Sequence, residues 1–368
     1  MNWNAIPEDH PTPSLVVSAE IARDNIRSMQ AYCNENKLRL RPHTKTHKSI
    51  VVANEQIAAG AHGLTVAKVG EAEVMSQASG DIMIAYPAIG HSRLRRLTAL
   101  ARTCRLRVGI DSREAADLLQ SAALNANVHL DIMVDVDVGF HRTGVMLSTS
   151  AIELCEYVEK QNHLRVAGLM CFPGHILPES APSIWEEYAS ALEQVIDGLR
   201  KKGISAETIS GGSTPTARSS HRNPMLNEIR PGTYVYNDLN EVRLGVCSFE
   251  NCAARILATV VSTPEPSKFI VDAGSKTLSS DRNAANQDAG FGCVVEYPDA
   301  KVSRLSEEHG EIVIPREKLD AIQLPRIGDR VWIIPNHICV CVNLQNSFFW
   351  HDGQEIVPLA VDARGMLV

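Results

Sequence analysis

The segment KLRLRPHTKTHKSI (37–50) gathers the densest set of groups able to do covalent chemistry in this chain. Lys45 is at its centre, with His43, His47 and Lys48 beside it and Arg41 just upstream. Before Pro42, Leu38 and Leu40 alternate with Arg39 and Arg41, the period of two expected of a β-strand. Pro42 has no N–H to give to a ladder and ends or edges that strand. The helix-like run SIVVANEQIAAGA follows. Lys45 is therefore expected at the carboxyl end of a strand, the edge at which parallel α/β folds carry their chemistry. A lysine there is either a solvated charge in a basic loop or an amine made nucleophilic by burial and nearby cations, able to form a Schiff base.

Other segments offer complementary groups. SGGSTPT (210–216) supplies Gly211 and Gly212, then Ser213, Thr214 and Thr216. RPGTY (230–234) supplies Gly232, Thr233 and Tyr234, with Tyr236 nearby. Glycine lets backbone N–H groups approach an anion and the hydroxyls add donors, so the pair reads as a phosphate cradle or as two ordinary turns. DIMVDVDVGFHRTGV (131–145) ends a strand in Asp135 and Asp137 and then carries His141 and Arg142. Two carboxylates there suit an acid–base or metal site, or are strand-end charges before a turn. GLMCFPGHI (168–176) brings Phe172 and His175 to another strand end. In IIPNHICVCVNL (333–344), read as a strand, His337 and Cys339 share a face that Cys341 continues. His with Cys is a Zn2+ pair by ligand type, and buried strand cysteines are the alternative. VDAGSKTLSSD (271–281) is a polar turn or a further lining of the site.

The elements that must position these groups repeat. Strand-like runs at 37–42, 63–69, 81–87, 105–110, 128–136, 164–171, 206–210 and 228–235 are mostly separated by helix-like segments at 70–78, 91–102, 113–125, 149–161 and 182–202. Eight strands with intervening helices are the count of a (β/α)8 barrel of TIM type. A doubly wound open sheet is the rival, but no G-x-G-x-x-G fingerprint follows an early strand and the glycine loops fall late. Beyond about residue 240, short apolar or alternating runs split by Gly, Pro and Asp predict a C-terminal all-β domain. The expected division is 1–36 (strand and helix), 37–240 (barrel) and 241–368 (β domain carrying the metal pair).

With 368 residues, 44% apolar and 21% charged, the chain has the composition of an ordinary soluble globular protein. A net charge of −7 gives no electrostatic case for nucleic acid. No apolar run reaches membrane-spanning length, and the N-terminus has neither the basic start nor the apolar core of a signal peptide. Nine scattered cysteines, mostly in apolar patterns, read as free thiols of a cytoplasmic protein.

RPHTKTHKS resembles the pyridoxal 5'-phosphate (PLP) signature of the D-serine dehydratase and D-threonine aldolase family, a branch of the alanine-racemase-like, fold-type III enzymes. The resemblance implies that Lys45 is the Schiff-base lysine and a catalytic base, that 210–216 and 230–234 hold the PLP phosphate, and that Arg142 lies near the PLP ring. It implies a divalent metal, Zn2+ or Mn2+, on His337 and Cys339: the family pairs His-x-Cys in its dehydratases and His-x-Asp in its aldolases. Phe172 stands where the family commonly has tyrosine, which removes a hydroxyl, while His175 is kept. The N-terminal strand is expected to join the β domain, and the chain to be a homodimer. The implied activity is lysis of D-3-hydroxy amino acids. Cys339 favours D-serine dehydratase-like elimination; D-threonine aldolase-type cleavage is the alternative and amino acid racemisation a more distant one.

Overall fold

The computed structural model describes Trp3, residues 6–283 and residues 286–368. Met1, Asn2, Asn4 and Ala5, within the stretch read as lacking a signal peptide, lie outside the described residues. The chain forms two units. One comprises Ile26–Lys45, Ser49–Gly232 and Gly365–Val368, the other Met1–Asn25, Thr46–Lys48 and Thr233–Arg364.

The chain's first strand, β1 (Ser14–Ser18), belongs to the second unit. The first unit is built on β2 (Arg39–Leu40), β3 (Leu64–Val66), β4 (Asp81–Ile84), β5 (Arg105–Ile110), β6 (Leu130–Asp137), β7 (Val145–Met146), β8 (Leu164–Met170), β9 (Thr208–Gly211) and β10 (Glu228–Ile229). Their order is β2-β10-β9-β8-β6-β5-β4-β3, every neighbour is parallel, and the short β7 pairs only with β6. Thr44 N donates to Thr65 O at 2.8 Å and Thr65 N to Pro42 O at 2.9 Å, which joins the β2 side to β3 and closes the eight-stranded ring. Helix α1 (Ala19–Glu35) precedes β2, and helices α2 (Ile50–Ala58), α3 (Val69–Met75), α4 (His91–Leu100), α5 (Arg113–Ala126), α6 (Thr149–Glu159) and α7 (Ala181–Lys201) follow successive strands. The central strands are buried nearly throughout and mostly apolar because both faces are covered.

Met83, Met133, Ala167 and Met170 make one apolar layer. Full burial of such side chains stabilises by ~1.5–3 kcal/mol each. An ionic cluster joins the end of β2 to β10, β4 and β5. The fully buried Arg41 donates from Nε to Glu228 Oε2 at 2.9 Å and from Nη1 to Asp81 Oδ1 at 2.7 Å, and Arg107 also pairs with Asp81. Arg41 is thus neutralised, so it does not act as a free cation beside Lys45. The buried position also corrects the simple alternation read for this strand, since Leu38, Leu40 and Arg41 are all buried.

The second unit is mostly sheet. Its strands are β1, β11 (Ala254–Glu265), β12 (Lys268–Val271), β13 (Gly292–Val294), β14 (Lys301–Leu305), β15 (Gly310–Val313), β16 (Arg330–Pro335), β17 (Ser347–His351) and β18 (Ile356–Ala360). The main order is β14-β15-β12-β11-β1-β17-β18, with β16 pairing β11 and β13. β1 sits centrally, antiparallel to β11 and parallel to β17, and is buried along its whole length. Ile6, Val16, Leu257 and Trp332 form one core cluster, and Leu239, Cys252 and Ile334 another. Three short helices, α8 (Leu239–Arg243), α9 (Ser275–Leu278) and α10 (Ile338–Leu344), interrupt the sheet. α10 corrects the expectation of a strand over CVCVNL.

Candidate active site

Lys45 leaves β2 on a short bend. His43 N donates to Pro231 O at 3.0 Å and Lys45 N to His43 Nδ1 at 3.3 Å, so the backbone before the lysine is fixed while its side chain is exposed. Lys45 Nζ stands 5.9 Å from the centre of the Phe172 ring.

Phe172, just beyond β8, organises the rim of the barrel. The Arg142 guanidinium lies 4.7 Å from its ring centre and 5.1 Å from that of Phe140, and the two rings meet edge-on at 5.4 Å. The exposed His175 stacks on Phe140 at 6.2 Å. Arg142 is presented by the 138–144 loop, whose shape is set by aspartates. Asp137 Oδ1 accepts from Gly139 N at 2.9 Å and His141 N at 3.0 Å, and its Oδ2 meets His141 Nδ1 at 2.7 Å. Asp135 accepts from Thr143 Oγ1 at 2.8 Å, and Asp111 from Gly144 N at 3.1 Å. Gly139 has φ +96°, and a Cβ there would crowd Tyr188 Oη and His175 Nε2 at 3.1 and 3.2 Å. Asp135 and Asp137 are therefore anchors of the Arg142 loop. Burial pushes the Asp135 carboxyl up to about 6, against the Thr143 hydrogen bond and the nearby Arg230 charge.

The cradle lies across β9 and β10. Gly212 has φ +77°, a conformation that side chains disfavour, and a Cβ there would stand 3.1 Å from Ser220 Oγ and 3.3 Å from Ile229. Ser213 N donates to Thr216 Oγ1 at 2.9 Å, and the Ser213 and Thr216 hydroxyls are 3.1 Å apart. Arg230 N donates to Gly211 O at 3.0 Å, and Arg230 Nη2 to Cys171 O at 2.8 Å. Arg230 is buried and its Nη1 has no hydrogen-bond partner. Backbone freedom at Gly212, a set of hydroxyls, an unsatisfied buried guanidinium N–H and an exposed amine on Lys45 together fit a phosphorylated aldehyde cofactor such as PLP. Gly232 belongs to this unit, whereas Thr233 and Tyr234 belong to the β unit and are buried there.

In the β unit, His337 ends the run from β16 and sits at the N-cap of α10, with Cys339 in that helix's first turn. The strand-face argument for this pair is therefore corrected: a strand end running into a helix places the two residues. Cys341 turns away into the core, where its Sγ donates to Leu278 O at 3.0 Å. Asp238, the N-cap of α8, holds His337. Its Oδ2 lies 3.0 Å from His337 Nδ1 and accepts from Ile338 N at 3.1 Å, while Oδ1 accepts from Glu241 N at 3.1 Å. A protonated Nδ1 directs the Nε2 lone pair outward, the usual arrangement of a metal-binding imidazole backed by a carboxylate. Negative charge on Cys339, with the Asp238 hydrogen bond, pushes the His337 ring up to about 11, so a cation binding at Nε2 must displace a proton there. Cys339 Sγ is also 3.2 Å from Thr46 Oγ1 and 3.9 Å from Thr233 Oγ1. Among the described residues no cluster of three or more His, Cys, Asp or Glu is arranged to hold a metal. One imidazole and one cysteine sulfur are by ligand type a pair that suits a borderline-soft divalent cation with open coordination positions.

The 271–281 segment is divided: Leu278 O and Asp281 O accept from Cys341 Sγ at 3.0 Å and Asn336 Nδ2 at 3.0 Å beside α10, while its earlier polar residues engage elsewhere. Asp272 accepts from Thr12 Oγ1 at 2.7 Å and Thr259 N at 2.8 Å, and the exposed Lys276 pairs with Glu308 at 2.6 Å. Sequence reasoning passed over Asp238, although D-x-x-E at 238–241 carries the spacing of a helix cap. It also passed over the buried Arg230, whose role depends on a contact across two strands that no local pattern announces.

Comparison with known proteins places the family and the fold. Residues 17–240 match the family model "Alanine racemase, N-terminal domain", and residues 253–350 match "Putative serine dehydratase domain". The chain is 32% identical over 346 residues to D-threo-3-hydroxyaspartate dehydratase of Delftia sp., covering 89% of this chain and 90% of that one. D-threonine aldolase from Filomicrobium marinum superposes with a TM-score of 0.89 at 28% identity, covering 98% of each chain. A D-threo-3-hydroxyaspartate dehydratase mutant solved in a metal-free form gives 0.87 at 28% identity, covering 96% of this chain and 98% of that one. The chain belongs to the alanine racemase N-terminal domain family, in the branch that continues into a serine dehydratase-type second domain and whose relatives are dehydratases and aldolases of hydroxy amino acids.

Proposed function

We propose that this chain is a PLP- and divalent-metal-dependent lyase that carries out D-serine dehydratase-like β-elimination on a D-3-hydroxy amino acid, giving a 2-oxo acid and ammonia. The observation that carries the reading is the placement of His337 at the N-cap and Cys339 in the first turn of α10, a sulfur donor where an aldolase-type site has a carboxylate, with Asp238 backing the imidazole. D-threonine aldolase-type cleavage to glycine and an aldehyde is the second reading, favoured by the fold match to a D-threonine aldolase.

PLP would supply an electron sink at Cα and the metal, Zn2+ in our reading, Lewis acidity at the β-hydroxyl. The chain's own residues do the rest. Lys45 Nζ would hold the cofactor's aldehyde carbon and, as a free amine, would take the Cα proton. Gly211, Gly212, Ser213, Thr214, Gly232, Thr233 and Tyr234 receive the phosphate. Arg142, fixed against Phe172 and Phe140, orients the ring and offsets negative charge on it. Phe172 packs and excludes water but moves no proton, so acid–base work beyond Lys45 falls to His175. Small D-amino acids are the substrates, and the chain works in the cytoplasm as a homodimer. Among the described residues no helix is long and apolar enough to cross a membrane.

The test is to supply PLP and Zn2+ to the purified protein, offer D-serine, D-threonine and D-3-hydroxyaspartate, and assay oxo acid, ammonia, glycine and aldehyde together. Oxo acid with ammonia, absent in Lys45→Ala and after chelation, supports the elimination. Glycine with aldehyde selects the aldolase reading, and turnover that survives chelation removes both.

A further inference from the structure

Two residues on the carboxyl rim of the barrel have no part in the chemistry above. Lys68 follows β3 by two residues and Tyr86 follows β4 by two. The half-buried Lys68 Nζ stands 3.4 Å from the centre of the half-buried Tyr86 ring. The acidic groups close to it in sequence are engaged: Glu71 accepts from Ala67 N at 2.7 Å, and Glu73 binds Arg96 at 2.6 and 2.8 Å. Among the described residues the Lys68 ammonium meets this aromatic face and no carboxylate within ion-pairing distance. An aromatic ring fixes a cation in place without cancelling its charge. Lys68 is thus a pre-positioned positive charge, and an anion delivered to the rim completes it.

The cofactor's phosphate is not that anion. The ring order runs β9-β10-β2-β3-β4, because the hydrogen bonds between Thr44 and Thr65 join β2 to β3. The strand of Lys45 therefore separates the phosphate cradle on β9 and β10 from Lys68 and Tyr86 on β3 and β4. The anion that remains comes from the substrate. Proteins similar to this chain include one named for hydroxyaspartate and one named for threonine, whose substrates differ in whether Cβ bears a second carboxylate. A cation set beside the reacting lysine but apart from the phosphate is what such a discrimination requires.

We propose that Lys68, held on Tyr86, receives the side-chain carboxylate of a 3-hydroxyaspartate-class substrate and sets a preference for acidic over neutral D-3-hydroxy amino acids. The proposal rests on the lyase reading above and names its substrate class. A charge-assisted hydrogen bond in a half-buried site is worth a selectivity of about tenfold or more.

Two measurements on the PLP-loaded protein test it, each with wild type, Lys68→Gln and Lys68→Arg. The first compares calorimetric affinities for D-malate and D-lactate, unreactive acids that differ in the second carboxylate. The second compares kcat/KM for D-3-hydroxyaspartate with that for D-serine and D-threonine. The expected wild type prefers D-malate and the acidic substrate by about tenfold or more, Lys68→Gln brings both ratios close to one, and Lys68→Arg restores most of each. Equal loss on acidic and neutral substrates in Lys68→Gln overturns the proposal, because it assigns Lys68 to the α-carboxylate that all of them share. Equal malate and lactate affinities in the wild type also overturn it. Turnover of D-serine without acidic preference leaves the lyase reading standing and removes the carboxylate site. A malate preference that depends on Lys68, with no turnover of any D-3-hydroxy acid, does the reverse.

Discussion

Phe172 shows how much one side chain can set at this site. Its ring has Arg142 at 4.7 Å and Lys45 Nζ at 5.9 Å, so two cations of different function are referenced to one aromatic plane. Cutting the ring back in Phe172→Ala frees Arg142, and the account predicts that PLP dissociates about tenfold more readily, the scale of a partly desolvated cation–π contact. Fluorescence-monitored PLP titration measures it, and an unchanged affinity would show that Arg142 is held by other contacts. Lys45→Ala is predicted to remove the visible absorbance of bound cofactor and to lower turnover by about 10³-fold or more. At His337 the dependence runs through Asp238. Asp238→Ala is predicted to weaken Zn2+ binding by roughly 10–100-fold while the fold persists, read as metal content after dialysis against a graded chelator. Lys45 and the pair His337–Cys339 were legible in the sequence because they occupy short, dense motifs. Asp238 and Arg230 were not, since each acts on a group far away in the chain.

The 138–144 loop is the element that presents Arg142 to Phe172 and Phe140. Its conformation is written in three aspartates at strand ends, Asp111, Asp135 and Asp137, and in Gly139. Burial raises the Asp135 carboxyl to about 6, above its ordinary value. The unfolded chain releases that proton near pH 4 and the folded chain near pH 6. Between those values the folded state holds more protons, so stability falls as pH rises through this window and is level above it. The contribution is roughly 3 kcal/mol at most, and Asp135→Asn is predicted to flatten that slope in urea unfolding curves collected from pH 4 to 7. A slope that persists in the variant would locate the titrating group elsewhere. Element reading from sequence succeeded where a run was long and apolar and failed where a turn decided the outcome. Asp352 and Gly353, the latter at φ +100°, join β17 to β18, and this D-G signal marks a hairpin whose first strand, SFFWH, was not read from the pattern. In α10 the apolar run ICVCVNL fits a strand and a helix equally, and the Asp238 carboxylate accepting Ile338 N helps to start the helix.

At the scale of the whole molecule, the eight-stranded order of the barrel was legible from the strand count and the late glycine loops, because parallel strands covered on both faces leave a plain apolar record. The division of the chain between its two units was less legible. Thr46–Lys48 sits with the β unit and Gly365–Val368 with the barrel, and short excursions of this kind leave no composition signal. The central claim is that the cofactor held by Lys45 and the metal held by His337 and Cys339 serve one elimination. The most direct measurement is the ratio of ammonia to glycine released from a D-3-hydroxy amino acid by PLP-loaded protein, with Zn2+ present and after its removal. The account predicts ammonia with matching 2-oxo acid, little glycine, and loss of both products on chelation with recovery when Zn2+ is returned. Glycine as the main product, or ammonia release indifferent to chelation, would contradict it.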